Sequence, residues 1–260
     1  DRHYVPKGLV GVIGPWNYPL TMAISDGLAA LVAGNAIMLK PDHQTPLVSL
    51  AAVELLHKTG LPADLWQVVH GRGNVVGREL IGVSDYVCFT GSTVTGRTVA
   101  MQCASRLIGC SLELGGKNPM VILDDADIEA AAEGAVRASF FNAGQTCVAT
   151  ERIYVADSLF EPFIKAFVAR TQAIRLGNAP DFEHDMGSLI NNSQLKRVRA
   201  HVDDARAKGA TVATGGHRRE DLGELFYEPT VLTGVTPDMD CYAEETFGPV
   251  VSVYPVASED

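Results

Sequence analysis

The stretch "LVGVIGPWNYPLTMAISDGLAALVAGNAIMLKP", residues 9 to 41, already contains a complete strand–helix–strand unit. An apolar run over 9–13 stops at Gly14-Pro15, a helix is expected over 20–33, and Gly34-Asn35 closes it before a second apolar run over 36–39. Gly and Asn after the last periodic residue are helix stop signals. The same grammar continues outward. Further strands are expected over 66–69, 86–89 and 107–114, near-continuously apolar as in a parallel sheet buried on both faces. Helices are expected between them over 46–59, 75–81 and 93–104. Such alternation is the signature of a doubly wound α/β sheet.

Beyond residue 116 the texture repeats with different spacing. Asp127 is placed to cap a helix whose positions Ile128, Ala131, Ala132, Ala135, Val136 and Ser139 fall on one face. That helix runs out at Asn142-Ala143-Gly144, and a strand restarts over 152–155. A helix over 160–174, a turn-rich loop over 177–187 and a charged helix over 193–208 follow. A boundary near Gly115-Gly116 gives two domains, 1–115 and 116–260, each expected to be a Rossmann-like open sheet.

The chain has 260 residues, 47% hydrophobic and 20% charged, an ordinary globular composition that excludes disorder and disulfide scaffolds. A net charge of −10 leaves no electrostatic footprint for nucleic acid or an anionic membrane. Five cysteines at scattered spacings form no C-x-x-C and no zinc pattern, which fits reduced thiols and a cytoplasmic setting. Both ends read as cut: residue 1 opens directly into "DRHYV", and "VVSVYPVASED" stops just after a strand-like run. A piece of a longer protein is therefore expected, poorly stable and inactive alone.

Cys147 stands out because it follows a helix end, among small and polar residues in "FFNAGQTC" (140–147). A buried structural thiol is the alternative, since free cysteine is among the most buried residue types. A thiol of pKa ~8.5 needs a partner to act as a nucleophile at neutral pH. Glu113, in "LELGGKNP" (112–119), is a candidate general base set in an apolar strand, or else a strand-end glutamate facing solvent. Asn17, in "GPWNYP" (14–19), could donate to an oxyanion, or simply cap a helix. Lys40, in "LKPDHQTP" (39–46), sits where a ribose or phosphate would lie, though such lysines are often merely solvated. "HGRGNVVG" (70–77) and "FTGSTVTGRT" (89–98) each follow a strand and open a helix, where backbone N–H groups attract phosphate. Neither is G-x-G-x-x-G. The second approaches the P-loop spacing with Arg97 in place of lysine, and nucleotide triphosphate chemistry is disfavoured.

Six stretches taken in order resemble the aldehyde dehydrogenase superfamily: "GPWNYP", "LKPDHQTP", "FTGSTVTG", "LELGGKNP", "FFNAGQTC" and "EETFGPV" (244–250). The resemblance runs over 8–253. It implies a truncated cofactor domain and a truncated catalytic domain. It makes Cys147 the nucleophile, Glu113 the base for deacylation and Asn17 a member of the oxyanion hole. It implies a cofactor site drawn from Ile13, Trp16, Lys40, His43, Gly73, Gly77, Gly91, Ser92, Leu114, Glu245 and Phe247, with NADP or NAD as cofactor and no metal. A small aldehyde as substrate and a homo-oligomeric parent are further implications.

Two departures from the family pattern matter. His43 stands where NAD-preferring members carry a glutamate for the adenosine ribose, so NADP is expected to be preferred. "KPDHQTPL" is similar to an NADP-linked succinate-semialdehyde dehydrogenase branch, yet Ser25 occupies the place where many such enzymes put a carboxylate-binding arginine. A cysteine acyl hydrolase working without nucleotide, and a catalytically silent family member, stay open as alternatives.

Overall fold

The computed structural model describes residues 3–257. Residues 1, 2 and 258–260, on which the expectation of cut ends partly rests, lie outside the described residues. Backbone packing divides the chain into two compact units, Asp1–Gly115 and Gly116–Asp260.

In the first unit, β1 (Leu9–Ile13), β2 (Ala36–Lys40), β3 (Trp66–Val68), β4 (Tyr86–Thr90) and β5 (Gly109–Glu113) form a parallel sheet in the order β3-β2-β1-β4-β5. Helices α1 (Thr21–Val32), α2 (Pro46–Lys58), α3 (Arg78–Val83) and α4 (Thr93–Ser105) connect them. Side chains of a strand alternate between faces. Val10, Val12, Ile37, Leu39 and Trp66 therefore pack with Ala23 of α1 and Val53 of α2, whereas Val87 and Phe89 pack with Ile81, Val99 and Cys103 of α3 and α4. A Cβ on Gly27 would lie 2.4 Å from the Trp66 ring, so only glycine lets α1 sit this close. Asp26, the one ionisable side chain of α1, is half-buried, and its pKa is raised above 3.8 by that burial and by Glu113.

The expected helix over 75–81 is divided: a π-turn spans Gly73–Gly77 and α3 starts at Arg78. The last strand departs more from expectation. Instead of a buried run over 107–114, β5 is an edge strand whose Gly109, Ser111 and Glu113 are exposed. Leu107 is left-handed (φ 56°) and exposed, and belongs to the turn that ends α4.

The second unit holds β6 (Asn118–Ile122), α5 (Ile128–Phe140), β7 (Thr150–Ala156), α6 (Asp157–Gln172), α7 (Asn192–Ala207), β8 (Thr211–Thr214), β9 (Thr230–Thr233), α8 (Asp240–Ala243) and β10 (Val250–Val256). Its sheet runs β6-β7-β10-β9-β8. Unlike a purely parallel Rossmann sheet it is mixed, because β8 pairs antiparallel with β9. Helix α6 starts at Asp157, earlier than expected, and runs through Pro162, whose missing N–H leaves the Ser158 carbonyl without its helical donor. Phe140, Phe163 and Phe167 stack with centroid separations of 6.0 and 5.4 Å, and bind α5 to α6 over Ile153 and Val155 of β7.

Helix α5 is capped as expected, the Asp127 carboxylate accepting the Ala130 N–H at 3.0 Å. Its far end is a 3₁₀ turn, Phe141–Gly144, in which Asn142 (φ 53°), Ala143 (φ 56°) and Gly144 (φ 67°) are consecutively left-handed. A Cβ on Gly144 would stand 2.1 Å from the Gly248 carbonyl oxygen.

Two predictions follow from this packing. Gly144→Ala adds a strained left-handed residue and a backbone clash costing about 2–4 kcal/mol, so the melting temperature of the full-length protein drops by roughly 5–10 °C. For Asp26, a folded pKa above the ordinary 3.8 favours the protonated carboxyl, so its stabilising contribution is complete below 3.8 and is lost as pH rises through the folded value. Asp26→Asn therefore raises thermal stability at pH 8, with a gain that shrinks toward pH 4. A gain that grew as the pH fell would contradict this sign.

Candidate active site

In a parallel sheet all strands end at one edge, and open α/β sheets bind ligands there, at the point where strand order reverses. In the first unit that reversal falls between β1 and β4. Ile13, Trp16 and Asn17 lie at or beyond the end of β1, Lys40 and His43 at β2, Gly73 and Gly77 beyond β3, Gly91 and Ser92 beyond β4, and Glu113 and Leu114 at the end of β5. Asn17 is not a helix cap: α1 begins four residues later, at Thr21. Lys40 is not solvated either. It is 3% exposed, its ammonium donates to the Pro41 carbonyl at 3.1 Å, and burial lowers its pKa while Asp42 opposes the shift. A Cβ on Gly77 would meet the Lys40 stem at 3.9 Å, and one on Gly73 would meet nothing within 4 Å. An open backbone loop thus lies beside a buried cation.

Ser92 caps α4, accepting the Thr95 N–H, and a Cβ on Gly96 would strike Leu114 at 2.5 Å. Glu113 is exposed at the tip of β5, which matches the strand-end glutamate facing solvent and not a carboxylate buried inside an apolar strand. The edge position of β5 is the reason: no further strand of the unit covers it. His43 is more than half exposed, with Nδ1 3.3 Å from the Asp42 carboxylate, which also accepts the Gln44 N–H at 2.9 Å.

In the second unit, Cys147 occupies the turn between Gly144 and β7 and is half-buried. Its carbonyl accepts from the Asn118 amide at 2.8 Å, and the same amide donates to Ala149 O at 3.0 Å. The Cys147 N–H donates to no acceptor among the described residues. Gln145, 3% exposed, ties the turn down: its Nε2 donates to Asn142 O (3.1 Å) and its Oε1 accepts the Ile190 N–H (2.9 Å). Burial pushes the thiols of Cys88 and Cys103 up to about 11 and raises that of Cys241, which makes them inert at neutral pH.

Glu245 and Phe247 lie in a segment held from several sides. The Glu151 carboxylate, 3% exposed, accepts the N–H groups of Thr246 (2.8 Å) and Phe247 (2.9 Å) and the Lys117 ammonium. Gln194 donates to the carbonyls of Thr246 (2.9 Å) and Phe247 (2.7 Å), and His201 Nδ1 lies 3.0 Å from the Thr246 hydroxyl. These bonds hold Phe247 at φ 55°, a strained value for an aromatic residue. The Gly116 N–H donates to Glu245 Oε1 at 3.0 Å. Burial nevertheless raises the Glu245 pKa above 4.5, with Glu151 adding to the shift and Gly116, Arg197 and Lys117 opposing it. Sequence reasoning passed over Asn118, Gln145, Lys117 and Glu151. The signal for Glu151 was available: a charge inside the strand run "TERIYV" needs a buried partner.

Among the described residues no cluster of His, Cys, Asp and Glu is arranged to hold a metal, and no helix is long and apolar enough to cross a membrane. Comparison with known proteins agrees with the motif order. A Mycolicibacterium smegmatis protein, provisionally named succinate-semialdehyde dehydrogenase [NADP(+)], is 57% identical over 97% of this chain and 49% of its own length. A 3-sulfolactaldehyde dehydrogenase of Pseudomonas putida is 42% identical over 98% of the chain and 53% of its own. The crystal structure of betaine aldehyde dehydrogenase from Staphylococcus aureus in complex with NAD+ superposes with a TM-score of 0.93 at 40% identity, covering 98% of this chain and 51% of that one. The chain thus spans about half the length of the relatives it matches. The family model described as "Aldehyde dehydrogenase family" matches residues 2–260, and the chain belongs to that family.

Proposed function

We propose that the full-length protein carrying this chain oxidises an aldehyde to the free carboxylic acid, with NADP+ or NAD+ as hydride acceptor. The observation that carries this reading is the Cys147 turn: its carbonyl is committed to Asn118, while its N–H is left to donate elsewhere. A backbone donor beside a nucleophilic thiol is what an oxyanion needs. Cys147 adds to the aldehyde carbon, and the resulting thiohemiacetal oxyanion is stabilised by the Cys147 N–H and the Asn17 amide, each worth roughly 3–4 kcal/mol in such sites. The bound nicotinamide supplies a hydride acceptor. Loss of hydride leaves a thioester on Cys147, which a water activated by Glu113 cleaves. Members that pass the acyl group to coenzyme A do not need such a base, so Glu113 favours release of the free acid. An exposed carboxylate at a strand tip suits a group that must meet water.

Residues of the first unit fit a dinucleotide: the parallel order with its reversal at β1 and β4, the open Gly73–Gly77 loop and the buried Lys40 cation. Ile13, Trp16, His43, Gly91, Ser92 and Leu114 would complete that site. Glu245, oriented by the Gly116 N–H, would hold the nicotinamide ribose with Phe247 beside it. Position 43 brings no carboxylate against a 2′-phosphate, and the one at Asp42 is already engaged by His43 and Gln44. NADP is therefore the preferred cofactor. The substrate is proposed to be succinate semialdehyde or a related short aldehyde. Two relatives bear the names of succinate semialdehyde and 3-sulfolactaldehyde, both aldehydes with an anionic far end.

The test is steady-state oxidation by the full-length protein of a panel of aldehydes with each cofactor. The expected result is turnover with a higher kcat/KM for NADP+ than for NAD+, absent in Cys147→Ser. Glu113→Gln should retain one round of nicotinamide reduction while turnover falls roughly 10²–10⁴-fold. Ester cleavage without nucleotide, and no aldehyde-dependent reduction, would establish the acyl hydrolase instead. Equal or better kinetics with NAD+ would contradict the cofactor assignment.

A further inference from the structure

Strand β7 holds one residue that its neighbour β6 does not pair. Asn118 pairs with Thr150 and Pro119 with Arg152, so the register skips Glu151, the extra residue of a bulge. Bulges re-aim side chains and are frequent beside active sites. Here the extra residue is a carboxylate, 3% exposed, and both of its oxygens are engaged. Oε1 accepts the N–H groups of Thr246 (3.1 Å) and Phe247 (2.9 Å). Oε2 accepts the Thr246 N–H (2.8 Å) and the Lys117 ammonium.

These contacts control both ends of another hydrogen bond. Glu245, assigned above to the nicotinamide ribose, is oriented by the Gly116 N–H at 3.0 Å. Thr246 follows Glu245 in the chain, and Lys117 follows Gly116. Glu151 holds Thr246 by its N–H and Lys117 by its ammonium, while Arg152 donates to the Lys117 carbonyl from Nε (2.9 Å) and Nη2 (2.6 Å). The same carboxylate takes the N–H of Phe247, whose left-handed backbone (φ 55°) persists only where its surroundings impose it. As a charge Glu151 works against Glu245, whose pKa it helps to raise. Its contribution to that site is therefore geometric.

We propose that Glu151 is a positioning residue for cofactor binding: through Thr246 and Lys117 it fixes the Glu245 carboxylate in place to receive the nicotinamide ribose. This assignment rests on the dehydrogenase reading above and adds to it the residue that orients Glu245.

Glu151→Gln alone would leave the Lys117 ammonium buried without its counterion, which destabilises a fold. Two paired substitutions in the full-length protein avoid this. Glu151→Leu with Lys117→Met removes the acceptor; Glu151→Gln with Lys117→Met keeps one oxygen for the two N–H groups. In equilibrium titrations the first pair should weaken NADP+ binding roughly 5- to 20-fold, and the second should stay within about 3-fold of wild type. Adenosine 2′,5′-bisphosphate, which lacks the nicotinamide ribose, should bind wild type and both variants alike. In a Glu245→Ala background the first pair should bring no further loss, because Glu151 acts through Glu245. Glu151→Asp keeps the charge opposite Lys117 on a shorter arm and gives the same reading if the apolar pair does not fold: weaker NADP+ and unchanged bisphosphate. Unchanged NADP+ affinity, equal weakening of both ligands, a second pair as weak as the first, or an additive loss on Glu245→Ala overturns the role of Glu151. A wild-type protein that binds neither NADP+ nor NAD+ overturns instead the dehydrogenase reading.

Discussion

The Gly248 carbonyl oxygen occupies the place where any side chain at position 144 would have to begin. Everything distinctive about the Cys147 turn follows from that approach. Three consecutive left-handed residues end α5 without a long loop, and the chain reverses against the 245–248 segment rather than into solvent. Such a backbone persists only where its surroundings over-determine it. Here Gln145 pins the turn to Ile190, and Asn118 fixes it through two carbonyls. The opposite side of the contact is equally firm, because Glu151 collects two N–H groups and the Lys117 ammonium around Thr246 and Phe247. A buried carboxylate of this kind is costly unless every lone pair is used. Among the described residues the arrangement leaves the Cys147 N–H without an acceptor.

The first unit solves a different problem with the same economy of means. A purely parallel sheet sends every connection out of one edge, so residues far apart in sequence share that edge without any direct bond between them. Lys40 illustrates the consequence. At the end of its strand it is 3% exposed, so its ammonium is drawn out of water and its pKa falls. Asp26 carries the converse cost, a half-buried carboxylate raised in pKa beside Glu113.

The fold was legible because its signals are local and repeated. Apolar runs of strand length, glycine punctuation and the Asp127 cap each specify one element, and the strand–helix alternation of residues 9–114 is observed in that order. What the sequence hid was whatever depends on neighbours. Nothing in "SLEL" says that β5 is an edge, so the sequence left Glu113 open between a buried base and a strand-end carboxylate facing solvent, and the edge position decides for the second. Strands β8 and β9, four residues each and rich in threonine, carry too little apolar pattern to register, and the antiparallel pairing of β8 is set by tertiary contact. Likewise Gln145 and Asn118 lay inside stretches already singled out, yet their bonding reaches residues 45 and 29 positions away.

The central claim is chemical, that the Cys147 sulfur becomes acylated during turnover. Acid quenching of the full-length Glu113→Gln protein after mixing with NADP+ and an aldehyde, followed by peptide mass spectrometry, tests it directly. The expected result is the mass of one acyl group on the peptide containing Cys147, formed only when both reactants are present. An unmodified Cys147 peptide alongside reduced nicotinamide would contradict the account.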